Sequence, residues 1–248
     1  MTKSIITSLF TLLLGCSTAQ ASLLFTIEDA YIEESQISDP KQVETFDDWN
    51  TGIFNGTITA EFGEYEVLSG VPQVKPANVY GGAGGDGKYL FVSPQQNTQV
   101  LLNFNDPVGY FGFWWSAGDA GNKLQVETAT TTYEFTTADV FQGDALTMNH
   151  YGNTNFGGGN GGEPYGFLNL YATSDEYKIE SIKFYGSNFE SDNHTVAGTL
   201  QNPTGTVIAT VTVPEPAHLG ALALALLPLV YARRTRKTNP HGIEMQSK

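Results

Sequence analysis

Apolar and polar residues alternate with a period of two along most of the chain between its termini. Leu124 and Val126, for example, alternate with Gln125 and Glu127. Successive side chains of an extended strand point to opposite faces, so this period predicts strands that are buried on one face. Together with β-branched and aromatic composition, the pattern predicts strands at residues 23–27, 58–62, 89–92, 100–104, 110–115, 124–127, 132–135, 167–171, 179–185 and 206–212.

These predicted strands are short, and glycine, asparagine and aspartate residues separate them. A series of about ten such strands is typical of an all-β fold, so we expect residues 22–198 to form a β-sandwich or jelly-roll-like domain. Only residues 137–141 carry a helical pattern, with Thr137 as the candidate N-terminal cap. Residues 199–213 are either the final strand or a linker, because a threonine-rich spacer shows the same alternation as a strand.

The first residues have the pattern of a secretory signal peptide. Lys3 precedes an apolar stretch at residues 5–14, and the small residues Ala19 and Ala21 suit the site that signal peptidase cleaves. We therefore expect residues 1–21 to be removed and the rest of the chain to be exported.

The single cysteine of the chain, Cys16, allows two interpretations. It ends the sequence Leu-Leu-Gly-Cys, which resembles a lipobox, and lipidation would make Cys16 the N-terminus of the exported protein. Alternatively, Cys16 leaves with the signal peptide. The exported domain then holds no cysteine, so that neither disulfides nor thiol chemistry can support it.

The C-terminal region combines a proline-rich motif, a short apolar segment and a basic cluster. The motif is Val213, Pro214, Glu215 and Pro216, and each proline favours extended backbone in the residue before it. Residues 217–232 are apolar, and as a helix these 16 residues would cover roughly 24 Å of the roughly 30 Å hydrocarbon core of a bilayer. The basic cluster that follows consists of Arg233, Arg234, Arg236 and Lys237. Under the positive-inside rule it remains in the cytoplasm, which leaves the preceding domain on the far side of the inner membrane.

This order of proline-glutamate-proline, short apolar helix and basic cluster resembles the PEP-CTERM sorting signal, over residues 214–237. The resemblance implies recognition and processing by an exosortase, a membrane-embedded protease-like enzyme of bacteria that make exopolysaccharide. Residues 238–248 would then be a cytoplasmic tail. An ordinary C-terminal membrane anchor is the alternative, and the Pro-Glu-Pro motif favours the sorting signal.

The exported part of the chain is strongly acidic. Residues 22–213 contain 24 aspartates and glutamates, six lysines and no arginine. Phosphate recognition depends on lysine and arginine, so this balance argues against nucleic acid, anionic lipids and acidic polymers as partners. It favours calcium or neutral glycans.

Two aromatic residues are candidate platforms for stacking on a sugar ring. Trp114 and Trp115 lie on opposite faces of one predicted strand, and if only one face belongs to the core, Trp114 is exposed. Burial of both tryptophans between sheets is the alternative. The second candidate is Tyr80, which would act together with the glycine-rich loops at residues 81–87 and 152–162.

Two groups of acidic and amide side chains are candidate calcium ligands, because calcium prefers hard oxygen ligands. The first group is Glu44, Asp47 and Asp48, and the second is Glu190, Asp192 and Asn193, directly after a predicted strand. Because the first and last strands of a sandwich often lie close together, we expect the two groups to be near enough to form one site. A structural calcium ion would cross-link loops of a self-repelling acidic domain. Solvated acidic turns would give the same pattern, and the sequence contains no Asp-x-Asp-x-Asp-Gly loop.

The sequence of the exported domain lacks the common catalytic signatures. His150 and His194 are its only histidines, and neither a His-Glu-x-x-His helix nor a Gly-x-Ser-x-Gly elbow occurs. A glycosidase needs only two carboxylates across a cleft, for instance Asp47 and Glu163. We expect no catalytic residues and no enzymatic activity.

These features predict an exported protein of the cell surface or the extracellular matrix with a structural or adhesive role. Its expected partners are signal peptidase, exosortase, the inner membrane during transit and exopolysaccharide. A carbohydrate-binding module is the alternative function, and a polysaccharide hydrolase is a third.

Overall fold

The computed structural model describes residues 21–38, 40–141 and 145–212. The residues that precede Ala21 and the predicted sorting signal from Pro214 onwards lie outside these ranges, and so do Cys16 and Val213. Within the described ranges, no helix has the length and apolar character needed to cross a membrane.

The described strands form two large antiparallel sheets and one small hairpin. The nine-stranded sheet consists of β1 (Ala21–Ile27), β2 (Gln42–Glu44), β3 (Gly52–Ile53), β6 (Gln73–Pro76), β7 (Lys88–Val92), β9 (Tyr110–Ser116), β14 (Gly166–Ala172), β16 (Phe189–Ala197) and β17 (Thr206–Thr212). The six-stranded sheet consists of β4 (Thr57–Ala60), β5 (Gly63–Ser69), β8 (Gln99–Val108), β10 (Asn122–Thr128), β11 (Thr132–Thr136) and β15 (Ile179–Gly186). The hairpin consists of β12 (Tyr151–Asn153) and β13 (Gly159–Pro164).

The strand order places β9 and β16 in the middle of the nine-stranded sheet. Its order is β17, β1, β14, β9, β16, β7, β6 and β3, and β2 pairs with β16 outside this path. The order of the six-stranded sheet is β11, β10, β15, β8, β5 and β4. Neighbours in both sheets are mostly distant in sequence, so the fold depends on long-range pairing.

The inner faces of the two sheets enclose one apolar core, as in a β-sandwich. Phe111 and Phe113 of β9 contact Phe184 of β15, with ring centroids 6.3 Å and 6.0 Å apart. All three rings are fully buried. Burying one such ring contributes roughly 1.5–3 kcal/mol, so rings from both sheets hold the sandwich together.

The structure confirms most of the predicted strands, including the alternation in β9 and β10. The prediction of one strand at residues 58–62 is wrong. β4 ends at Ala60, which pairs with Gly63 at the start of β5, so Phe62 lies in the turn between them. The prediction also missed β2, β3, β5, β6, β12, β13 and β16. β5 does show the period of two, since Glu64 and Glu66 alternate with Tyr65 and Val67, whereas the four residues of β6 are too few to show one.

The threonine-rich segment before Val213 is a strand rather than a linker. β17 pairs with β1, and Leu23 lies opposite Val211 in the ladder. Ser22 is fully buried, and its hydroxyl donates to the Val211 carbonyl oxygen at 3.0 Å. The first and last described strands are therefore neighbours.

The predicted helical turn is present as α1 (Thr137–Val140). Its N-terminal cap is Thr136, where the sequence predicted Thr137. The Asp139 carboxylate accepts from the Thr136 backbone N–H at 2.8 Å, so the first turn is closed by a capping box.

Candidate functional site

A cavity of about 270 Å³ lies on the outer face of the nine-stranded sheet. We call it the outer cavity, and it is lined by Lys75, Tyr80, Phe91, Ala117, Asp119, Glu163, Asn188 and Glu190. Glu190 lies opposite Phe91 in the β16 and β7 pair and opposite Ser116 in the β16 and β9 pair. Because Leu90 and Val92 belong to the core, the strand period places Phe91 on the outer face.

A bulge in β16 sets which of its side chains face outwards. Asn193 has a φ of 50°, and the register of β16 against β9 shifts between Asp192 and Thr195. Ser191 and His194 therefore both face the core, although an unbroken strand would place them on opposite faces. Glu190 and Asp192 face outwards with Thr195.

The Glu190 carboxyl group is buried, but the protein does not satisfy its hydrogen-bonding capacity. Glu190 is 4 % exposed, and its Oε2 atom has no hydrogen-bond partner within the described part of the chain. Burial raises the pKa of Glu190 to about 9, and the nearby Asp119 carboxylate raises it further while Lys75 lowers it. At neutral pH the group is therefore held mainly as a carboxylic acid, which can donate one hydrogen bond and accept others.

Two further acids complete the acidic wall of the outer cavity. The Asn188 side-chain amide donates to Asp119 Oδ2 at 3.0 Å. Asn160 donates to Glu163 Oε2 and, at 2.8 Å, to the Tyr165 hydroxyl. Burial raises the pKa of Glu163, and the charge of Asp119 acts in the same direction.

One cation faces these acids. The Lys75 ammonium lies 3.1 Å from the centroid of the Phe91 ring, in a cation–π contact. Burial lowers the pKa of Lys75, and the Glu190 carboxyl group opposes this shift.

Tyr80 lies at the cavity and remains accessible. Its side chain is 51 % exposed, and its backbone N–H donates to the Asn78 side-chain oxygen at 2.8 Å. This local bond fixes the turn that carries the ring. The sequence offered Trp114 and Tyr80 as candidate platforms for a sugar ring, and of these two Tyr80 lines the outer cavity.

Trp114 is buried, which corrects the expectation of an exposed platform. It is 3 % exposed and packs against Tyr165, with ring centroids 6.3 Å apart. β9 is a central strand whose two faces are both covered, the outer one by a small cluster of Trp114, Ala117, Tyr165 and Phe167. Trp114 Nε1 has no hydrogen-bond partner in the described residues.

The glycine-rich segments are largely ordered. Residues 152–162 carry most of the hairpin of β12 and β13, and residues 81–87 include a 3-10 turn at Ala83–Gly85. The Ala83 N–H donates to Asp192 Oδ2 at 2.8 Å, so this turn covers β16.

The first group of predicted calcium ligands lies beside the second, because Glu44 pairs with His194 across β2 and β16. Glu44 Oε1 accepts from the Phe46 N–H at 2.6 Å, and Asp47 Oδ1 accepts from the Lys88 N–H at 2.8 Å. Asp48 and Glu44 both line a separate pocket.

The second group of predicted calcium ligands lies inside β16. The sequence-based prediction, which placed this group after a strand, is therefore wrong. Burial raises the pKa of Asp192 to about 8, and its Oδ1 atom accepts from the Asn193 N–H at 2.7 Å. Asn193 donates to the Glu33 carbonyl oxygen at 2.8 Å. Among the described residues no group of three or more histidine, cysteine, aspartate or glutamate side chains is arranged to hold a metal ion. Structural calcium stays a prediction.

The two histidines have structural environments. His194 is a core residue in the middle of β16: Nδ1 lies 2.9 Å from the Tyr65 hydroxyl and Nε2 lies 2.9 Å from Ser191 Oγ. Burial lowers its pKa to about 3. Ser191 is fully buried as well, so neither side chain of this serine–histidine pair is accessible to solvent in the described fold. His150 is buried, with Nε2 3.2 Å from the Glu28 carbonyl oxygen.

The example pair for a glycosidase occupies two different environments. Asp47 bonds to Lys88, whereas Glu163 lines the outer cavity with Asp119 and Glu190. Of the charged and amide residues of the cavity, Lys75, Asp119 and Asn188 escaped prediction because no local sequence pattern marks them.

Comparison of the sequence with protein-family models and with curated proteins found no match.

Proposed function

We propose that this chain is an exported protein of the bacterial cell surface or extracellular matrix, with a structural or adhesive role. Signal peptidase removes residues 1–21, and an exosortase processes the chain at the motif formed by Val213, Pro214, Glu215 and Pro216. The short apolar segment at residues 217–232 spans the inner membrane only until that processing. The setting is a bacterium that makes exopolysaccharide.

The pairing of β1 with β17 is the observation that carries this proposal. β1 begins at Ala21 and β17 ends at Thr212, which pairs with Ala21, so the two proposed processing points adjoin the same end of one antiparallel strand pair. Removal of the flanking segments would take only Ala21 from the described strands. A processed protein would therefore keep the contacts that hold its first and last strands together.

The lysines of the domain support an extracellular role without anionic partners. All six contact other groups of the chain, which reduces their availability to phosphate groups. Lys41 bonds to Ser35, Lys75 lies over Phe91, Lys88 bonds to Trp49, Lys123 pairs with Glu134, Lys178 pairs with Asp175 and Lys183 lies over Tyr185. The excess of acids favours solubility outside the cell.

Fractionation of the native host tests the proposal. In a strain with active exosortase the protein should reach the cell surface or the medium, and in a strain without it the protein should stay in the inner membrane. Pro214→Ala combined with Pro216→Ala should cause the same retention, whereas Glu244→Ala should not. Identical distribution in both strains would refute the exosortase step.

A binding protein of this kind should show no turnover. The purified protein is expected to release no reducing ends from polysaccharides, and release that depends on Glu163 or Glu190 would favour the hydrolase instead.

A further inference from the structure

The outer cavity contains an acid group that the protein buries and leaves without a partner. Glu190 is 4 % exposed, lines the cavity, and its Oε2 atom has no hydrogen-bond partner in the described part of the chain. A buried polar atom without a partner destabilises a fold, so native proteins rarely keep one unless water or a ligand satisfies it. The position of Glu190 in the cavity wall favours a ligand.

The charges around the cavity exclude most classes of ligand. Asp119 and Glu163 would repel an anion such as a phosphate or a uronic acid. The Lys75 ammonium lies in the same wall, which disfavours a metal ion. Burial holds Glu190 mainly in its uncharged form, with its pKa raised to about 9, and calcium requires charged carboxylates.

The remaining class is a neutral molecule with several hydroxyl groups. A hydroxyl both donates and accepts, and it is matched by a carboxylic acid, which also does both. The Tyr80 ring is 51 % exposed at the cavity and offers an aromatic face to an apolar face of such a molecule. Neutral sugars combine these two properties.

The size of the cavity limits the ligand. Its volume of about 270 Å³ lies just below the range of roughly 300–1,000 Å³ that is usual for small-molecule sites. One sugar residue is therefore a better match than a chain of several.

We propose that the outer cavity binds a single neutral sugar residue of an extracellular glycan, with the Glu190 carboxyl group hydrogen-bonded to a sugar hydroxyl and the Tyr80 ring stacked on the sugar. This binding would supply the adhesive contact of the proposed function, and it rests on that function only for access to glycans outside the cell. Asp119 and Glu163 accept further hydroxyl hydrogen bonds at the rim.

Calorimetric titration of the full chain tests this inference, in a detergent without a sugar headgroup. The probes are glucose, galactose, mannose and N-acetylglucosamine, with glucuronic acid as the anionic counterpart of glucose. We expect saturable binding of at least one neutral sugar and about tenfold weaker or no binding of glucuronic acid. Calcium or a chelator should leave the affinity unchanged.

Variants identify the site. Tyr80→Ala should weaken binding about tenfold, whereas Tyr151→Ala, at a tyrosine that is 44 % exposed outside the cavity, should leave it unchanged. Glu190→Ala should abolish binding, and Glu190→Gln should retain it because an amide also donates and accepts. The thermal midpoint of each variant shows that it remains folded, and Tyr80→Ala provides the test if Glu190→Ala does not fold.

Three results would overturn the inference. They are the absence of binding to every neutral sugar of the panel, an affinity that Tyr80→Ala leaves unchanged, and binding that depends on calcium. The titration measures binding alone, so its failure is distinct from a failure of export or processing in the host.

Discussion

The imidazole of His194 and the hydroxyl of Tyr65 form a hydrogen bond of 2.9 Å across the interior of the sandwich. His194 belongs to the nine-stranded sheet and Tyr65 to the six-stranded sheet, and both are fully buried. The rings of Phe46, Phe111 and Phe184 surround the imidazole, with centroids 5.0 Å, 5.5 Å and 4.9 Å away. Because Ser191 satisfies the second ring nitrogen, the neutral histidine is fully paired inside an apolar core.

Tyr65→Phe should destabilise the fold. The substitution leaves His194 Nδ1 buried without a partner, which costs about 1–3 kcal/mol. Urea unfolding at neutral pH measures the change, and Tyr151→Phe at an exposed position is the matched control. Equal stability of Tyr65→Phe and the wild-type protein would show that this bond contributes nothing net.

Acid should destabilise the protein through His194. Its pKa is about 3 in the folded state and about 6.5 when unperturbed. As the pH falls below about 6.5, the unfolded chain gains a proton that the folded chain excludes, so the free energy of unfolding falls by up to about 1.4 kcal/mol per pH unit. Above that pH both states are neutral at this position, and the effect vanishes.

The variant His194→Gln isolates this effect. It should be less stable than the wild-type protein at pH 7, and the difference should shrink towards pH 4. Urea unfolding at several pH values provides the comparison, and a difference that stays constant with pH would contradict the lowered pKa.

Glu190 should produce the opposite dependence on pH. Burial raises its pKa to about 9 in the folded state, from an ordinary value of 4.5. The folded protein therefore keeps a proton that the unfolded chain loses, and the resulting stabilisation is complete below about pH 4.5 and disappears as the pH rises through 9. The wild-type protein should lose stability relative to Glu190→Gln between pH 5 and about pH 9. Glu180→Gln, at an exposed position of β15, is the control and should show no such change relative to the wild-type protein. If the stability of Glu190→Gln varied with pH in the same way as that of the wild-type protein, the result would contradict a raised pKa of Glu190.

Strand β17 should be needed for stability, while the residues after it should not. A chain that ends at Thr212 keeps β17, whose Ile208, Ala209 and Val211 pack against the core. A chain that ends at Gly205 loses these contacts and the ladder with β1, which we expect to cost at least about 2 kcal/mol. Thermal unfolding of the two truncations and the full chain distinguishes them. Equal midpoints for all three would mean that β17 is dispensable.

The sequence was sufficient for strands with a clear alternation, such as β9 and β10, and for one face of the sheet, because the period of two is a local property. The alternation in β9 places Phe111 and Phe113 in the core as predicted. The sequence left open whether Trp114 is exposed or buried, because Tyr165 and Phe167, which cover it, lie about 50 positions further along the chain. No local pattern contains that contact.

The sequence predicted only part of the outer cavity, because residues that are distant in the sequence form it. Tyr80 and Glu190 were candidates, although for different ligands. The bulge at Asn193 changes which residues of β16 face the core, and the aspartate and asparagine residues there gave the appearance of a turn. The residues that line the cavity with Glu190 come from β6, β7, β13 and three turns, which the topology alone brings together.

Intact-mass spectrometry of the protein recovered from its native host tests the central proposal most directly. We expect a chain that starts at Ser22 and ends near Val213, found at the cell surface or in the medium. Recovery of the full-length polypeptide in the cytosol, with Arg233 and the residues after it still attached, would contradict both processing steps.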